Sequence, residues 1–229
     1  MSKIKKRAII DFAIPIGVLL VLTMLLSLAD ADLRLAQLFY SSERGWLWKD
    51  SQPWDFLYHY GTILPIALAV SGFLMATYSM FSHKLAHWKK AFVFLAVLMI
   101  LGPGIIVNAV FKDHWGRPRP AEVETFGGTQ KYLPVWKRGN AGQDKSFPCG
   151  HASAGFFLFA PFFFLRKTSP KWAWVFLWVG MIYGVVMGIG RMAQGGHFAT
   201  DVLWAGGMVY LLGLVLSYLF RFNDSGPLF

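Results

Sequence analysis

The chain is expected to adopt an all-α fold, a polytopic membrane helix bundle with six transmembrane helices. Three observations lead there. Hydrophobic residues make up 55% of the sequence and charged residues only 15%, far from the balance of a soluble domain. Six apolar runs, at residues 8–28, 62–81, 91–111, 152–165, 172–190 and 202–220, approach the roughly 20 residues that a helix needs to cross a bilayer. Lysine and arginine gather in alternate short connections, as the cytoplasmic preference of basic residues requires. No repeat or low-complexity linker interrupts the series, so residues 1–229 are expected to form one integral membrane domain.

The first run follows Lys3, Lys5, Lys6 and Arg7 and precedes Ala29, Asp30 and Ala31. That pattern has the outline of a cleavable signal, but the length of the run favours a retained span. Residues 29–61 carry Phe39, Tyr40, Trp46, Trp48, Trp54, Phe56, Tyr58 and Tyr60, which suits amphipathic segments and an aromatic belt in the head-group layer. Lys84, Lys89 and Lys90 follow the second run, and Arg166, Lys167 and Lys171 follow the fourth. Both termini are therefore expected in the cytoplasm, with residues 29–61, 112–150 and 191–201 on the opposite face. The fourth run is short, and Gly150 with the residues after it extends it at the interface. The net charge of +10 is scattered between apolar runs, so the expected partner is anionic lipid rather than nucleic acid. A single cysteine rules out an intramolecular disulfide and CxxC-type metal or redox sites.

Ionisable residues at membrane boundaries are costly unless solvated or paired, and three clusters of them fall on the predicted outer face. The first is "KDHWGRPRP", residues 112–120. Its prolines push each preceding arginine towards extended backbone, so Arg117 or Arg119 can turn back towards the Lys112 ammonium, a pairing suited to phosphate. The second, Cys149-Gly150-His151, opens the fourth apolar run, where free backbone N–H groups favour an anion. In the third, "GRMAQGGHFATD", His197 and Asp201 are spaced to share a helix face. A carboxylate that fixes one imidazole nitrogen leaves the other free as base or nucleophile. Arg191 adds a further cation.

These residues resemble the signature of the type 2 phosphatidic acid phosphatase superfamily, which is similar in its core to vanadium haloperoxidases. The signature reads K-x6-R-P, P-S-G-H and S-R-x5-H-x3-D. Here it corresponds to Lys112 with Arg119-Pro120, to Pro148-Cys149-Gly150-His151, and to Gly190-Arg191 with His197 and Asp201. The resemblance thus selects Arg119 over Arg117. Cys149 and Gly190 stand where the family has serine.

The resemblance implies that His197 attacks phosphorus and becomes a phosphohistidine, with Asp201 holding it. It implies that His151 protonates the leaving oxygen and then activates water. Lys112, Arg119 and Arg191, with Gly150 N–H and the Cys149 side chain, would bind phosphate, and no metal or other cofactor is implied. The substrate would be a lipid phosphate: undecaprenyl pyrophosphate, phosphatidylglycerol phosphate, phosphatidic acid or the phosphate of lipid A. The resemblance also points to a bacterial inner membrane.

Transfer of phosphate to another lipid is one alternative, and a non-catalytic transporter or lipid-binding protein is another. In a transporter, broken helices and midplane charges are expected, whereas these charges gather at one boundary. Residues 121–147, with Lys131, Tyr132, Trp136, Lys137 and Arg138, are the expected head-group selector. Cys149 is not expected to be a nucleophile, because Gly155 stands where a C-x5-R phosphate loop needs arginine.

Overall fold

The structure, a computed structural model, describes residues 3–222, with side chains from residue 8 onward except His83. The chain ends and the side chains of Lys3, Lys5, Lys6 and Arg7, on which the expected placement of the termini rests, lie outside the described residues. The elements are α1 (Lys3–Leu28), α2 (Ala31–Gln37), a hairpin of β1 (Tyr40–Ser41) and β2 (Gly45–Trp46), α3 (Trp54–Tyr60) and α4 (Ile63–Tyr78). There follow α5 (Lys89–Met99), a π-helical stretch (Ile100–Phe111), α6 (Lys112–Trp115), α7 (Gly150–Phe156), α8 (Pro161–Leu165), α9 (Pro170–Ala193) and α10 (Ala199–Leu219).

Among the described residues, five stretches are long and apolar enough to cross a membrane: Ala8–Leu28, Trp54–Tyr78, Lys84–Glu122, Pro170–Ala193 and Ala199–Leu219. The sixth expected span, Gly150–Leu165, is shorter. It sits among the others, with Phe157, Phe159 and Phe163 fully buried, so its apolar character serves a protein core rather than lipid. On α1 the reverse holds, and Ile14, Met24 and Leu28 are among its many exposed apolar residues. The second span begins earlier than residue 62 because α3 runs almost directly into α4. Part of the expected aromatic belt is therefore helix packed against α9.

The third span departs from regular α geometry just before the first motif. Pro103 lacks an N–H, and Asn108 Nδ2 donates to the Pro103 carbonyl at 2.7 Å. π-helical turns inside helices often mark functional sites, and this one delivers Lys112 at its C-terminal end.

Small residues let α7 and α9 approach closely. A Cβ on Gly155 would stand 2.9 Å from Gly184 Cα, and one on Gly184 would enter the Phe156 ring. At the end of the bundle opposite the three clusters, Asp11 of α1 pairs with Arg166 at 3.2 Å and accepts from Tyr218 of α10 at 2.8 Å. Trp204 of α10 donates to Thr23 of α1 at 3.1 Å, so α1 is tied to the bundle along its length. A Gly184→Val variant is expected to lose about 1–3 kcal/mol from overpacking. That loss would appear as a lower thermal midpoint in detergent, and an unchanged midpoint would contradict the packing described.

Candidate active site

Three backbone hydrogen bonds gather the clusters. Ser146 N donates to Arg117 O at 2.9 Å, Ala121 N to Gly195 O at 3.0 Å, and Cys149 N to Asp201 O at 3.2 Å. The long segment after α6 can turn back because Gly116 has a φ of +70°, and a Cβ there would collide with the backbone of Asn140 and Ala141. Gly150 serves a similar close approach, since its Cβ would lie 2.5 Å from Asn108 Oδ1. The start of α7 is thereby pressed against the π-helical stretch.

Lys112, Arg119 and Arg191 act electrostatically on one another. Among the described residues no carboxylate lies within ion-pair distance of any of them. Lys112 Nζ reaches only Asn108 Oδ1, at 3.5 Å. Arg191 donates to Gln194 Oε1 at 2.5 Å and lies over the Tyr58 ring at 4.5 Å. Arg119 Nε and Arg191 Nε are buried with no hydrogen-bond partner, which native proteins seldom tolerate without a ligand or solvent to answer them. A phosphate offers acceptors to satisfy such a group of donors.

Both histidines face this charge, for Lys112 and Arg191 act on each. His151 stacks on Tyr58 at 5.1 Å between ring centroids, so Tyr58 links His151 to Arg191. No motif marks Tyr58; among the aromatics of residues 29–61 nothing in the sequence singles it out.

His197 does not lie on the helix that the spacing suggests, because α10 starts two residues later at Ala199. It approaches Asp201 because Asp201 turns back to cap the helix, accepting from Phe198 N at 2.8 Å. His197 Nδ1 stands 3.7 Å from Asp201 Oδ2, an ion-pair contact too long for a hydrogen bond. Burial pushes the His197 pKa down to about 4 against the opposing pull of Asp201. The imidazole is therefore neutral near pH 7 and available as a nucleophile.

Arg117, left open with Arg119 in the motif, has a different place. Its side chain has 0% exposure and is bound to Asp201, Asp32 and Thr200. Ser146 Oγ donates to the other Asp201 oxygen at 2.6 Å. Tyr132, expected among the head-group selectors, donates to Asp32 at 3.1 Å and so belongs to this buried group. Lys131, Trp136, Lys137 and Arg138 remain on the exposed side of the loop. Cys149 is fully buried and caps α7, its Sγ accepting from Ala152 N at 3.5 Å. Burial pushes its thiol up to about 11, so the thiolate that a nucleophile requires is scarce. At Gly190, the other departure, a Cβ would meet the Trp54 ring at 3.1 Å; an aromatic from α3 crowds the place of the family's serine.

A cavity of about 610 Å³ opens beside Lys112 and His151 and runs along Thr62, Ile66, Met99 and Ile100 into the apolar layer. A larger groove of about 980 Å³ between α1, α9 and α10 has no charged side chain in its lining, whereas the smaller one reaches Lys112 and His151.

A model of the PAP2 superfamily matches residues 91–225, which contain all three clusters. The chain belongs to the PAP2 superfamily. A lipid A 4'-phosphatase of Francisella tularensis subsp. novicida is 40% identical over 158 residues, covering 68% of this chain and 70% of that one. A lipid A 4'-phosphatase of Rhizobium leguminosarum is 32% identical over 130 residues, covering 56% of this chain and 54% of that one. Among solved structures, a transmembrane PAP2-type phosphatidylglycerolphosphate phosphatase from Bacillus subtilis covers 93% of this chain and 96% of its own at 20% identity, with a TM-score of 0.40. The expectation of a membrane lipid phosphatase thus holds at the level of the family.

As a cap, serine accepts a hydrogen bond better than sulfur. A Cys149→Ser variant of this PAP2 protein is expected to retain or raise phosphate release from lipid phosphate. A loss comparable to that of His197→Ala would instead make the thiol the nucleophile.

Proposed function

We propose that this PAP2 enzyme hydrolyses a phosphate monoester of lipid A, through a phosphohistidine at His197, on the outer face of a bacterial inner membrane. The observation that carries the chemistry is a group of three mutually interacting cations, Lys112, Arg119 and Arg191, without carboxylate partners among the described residues, two of which, Lys112 and Arg191, bear on the buried imidazole of His197. The lipid is suggested by the two relatives named as lipid A 4'-phosphatases. The single-domain reading of residues 1–229 belongs to this proposal. The placement of the site outside is supported by Lys84, Lys89, Lys90, Arg166, Lys167 and Lys171, which lie in the connections and first helical turns at the opposite ends of the spans.

Asp201 lies beside Nδ1, which leaves His197 Nε2 to attack phosphorus. The bond from phosphorus to the lipid oxygen breaks as the new P–N bond forms, and His151 gives that oxygen a proton. His151, now neutral, takes a proton from water; the resulting hydroxide attacks phosphorus and Nε2 departs. Lys112, Arg119, Arg191 and the Gly150 N–H hold the non-bridging oxygens, with charge aimed at the transition state. The cavity beside Lys112 and His151 supports sideways entry, acyl chains lying along Ile66, Met99 and Ile100 while the phosphate meets the cations. Exposed Lys131, Trp136, Lys137 and Arg138 then face the sugar head group.

Phosphate release from purified protein in EDTA, measured on lipid A, phosphatidylglycerol phosphate, phosphatidic acid and undecaprenyl pyrophosphate, tests the assignment. Lipid A is expected to be the best substrate, with activity intact in EDTA and reduced at least about 10³-fold in His197→Ala. Preference for another lipid overturns the substrate, and release that survives His197→Ala overturns the site. Because burial lowers the His197 pKa, the reactive neutral form persists above about pH 4 and is lost below it. The kcat/KM, corrected for ionisation of the substrate phosphate, is therefore expected to show no fall on acidification near the ordinary histidine value, and an acid limb there would contradict this.

A further inference from the structure

We propose that Arg117 and Asp32 form a buried clamp that fixes the position and effective charge of Asp201, and through it the nucleophile His197. The proposal rests on the reading of His197 and Asp201 given above. Asp32 lies on α2, ahead of the residues 91–225 that match the superfamily model.

Every nitrogen of the Arg117 guanidinium is engaged within the protein. Nε donates to Leu133 O at 2.9 Å, and Nη1 to Thr200 Oγ1 at 2.8 Å and Asp201 Oδ1 at 2.5 Å. Nη2 donates to Asp32 Oδ2 at 2.7 Å, with Tyr132 OH at 3.4 Å. One face of the group covers the Phe198 ring at 4.5 Å. No donor remains for phosphate, so Arg117 acts on the reaction only through its neighbours.

Asp32 completes the arrangement from the other side. Its Oδ1 accepts from Thr200 N at 2.8 Å, and its Oδ2 from Thr200 Oγ1 at 2.6 Å. Two carboxylates therefore serve the first turn of α10, one from that helix itself and one from α2, where the helix dipole favours negative charge. Both share the single Arg117 guanidinium, which leaves the group one negative charge in excess. His197 gains positive charge as its nitrogen bonds to phosphorus, and the excess negative charge lies beside it to offset that gain. Buried ion pairs are weak sources of stability.

The charged groups bearing on His197 are Asp201, Lys112 and Arg191. Those bearing on Arg117 are Asp201, Asp32 and Tyr132. Substitutions at 117 and 32 leave Lys112, Arg119 and Arg191 in place, so substrate affinity and nucleophile charge are separable. Arg117→Gln frees the charge of Asp201, so His197 holds its proton more firmly. Asp32→Asn lets Arg117 neutralise Asp201, so the imidazolium is less supported.

The test is kcat, KM and the pH profile of the full-length protein in detergent with lipid A as substrate, on the folded fraction isolated by size exclusion. In Arg117→Gln, kcat is expected to fall by about 10²-fold, KM to stay within about twofold, and the acid limb to move up by about one pH unit. Arg117→Lys, which keeps the charge without the fork, is expected to return the acid limb towards its original position while leaving kcat low. Asp32→Asn, nearly isosteric, keeps the proposal testable where Arg117 variants fail to fold; it is expected to lower kcat with no upward move of the acid limb. Folded variants whose remaining activity keeps the wild-type kcat and pH profile overturn the clamp. Activity that survives His197→Ala overturns the reading of the site beneath it.

Discussion

A guanidinium with no solvent exposure needs partners on every edge, and in this protein the partners of Arg117 come from three separate stretches of chain. They are Asp32 on α2, Leu133 in the long loop, and Thr200 with Asp201 at the start of α10, reached from the Arg-Pro turn after α6. Leaving any one of these buried charges without its partner is far more costly than the pair is stabilising. The polar interior of the site is therefore an all-or-none assembly. The long loop, the α1–α2 connection and the last span must arrive together, and the position of Asp201 is settled when they do.

Around this fixed centre the cations and histidines are placed by close packing together with the backbone hydrogen bonds that join the clusters. Gly155 and Gly184 let α7 rest on α9, Gly150 lets the start of α7 meet Asn108, and Tyr58 lies between His151 and Arg191. The enclosed short helix Gly150–Leu165 acts as the axle of the bundle. It carries His151 at one end, and its phenylalanines fill the space that lipid would otherwise occupy. Cations collected at one boundary by such a scaffold repel each other, and an anion relieves that repulsion; the scaffold supplies the free energy that holds them together until it binds.

Much of this was legible beforehand, and the omissions have physical causes. The apolar runs located the spans because the hydrocarbon layer imposes their length, but the enclosed helix escaped that rule since protein surrounds it. Lys112, Arg119, Arg191, His151, His197 and Asp201 follow a fixed spacing and could be found by it. Arg117 could not be told from Arg119 by composition; the K-x6-R-P spacing selects Arg119, and only the structure shows what the buried Arg117 does instead. Asp32 carried no signal, because its role depends on a contact 168 residues away in sequence. The i, i+4 spacing of His197 and Asp201 suggested a shared helix face. The proximity instead comes from a capping carboxylate folded back over the helix start, with the histidine still in the preceding turn.

The proposed mechanism turns on a covalent bond between phosphorus and His197. Rapid acid-free quenching of the enzyme with lipid A carrying radiolabelled phosphate, followed by peptide mapping, looks for that bond directly. A base-stable, acid-labile label is expected on the peptide containing His197 and absent from His197→Ala. Turnover with no label on His197 under these conditions, or a label mapped to Cys149, would contradict the mechanism.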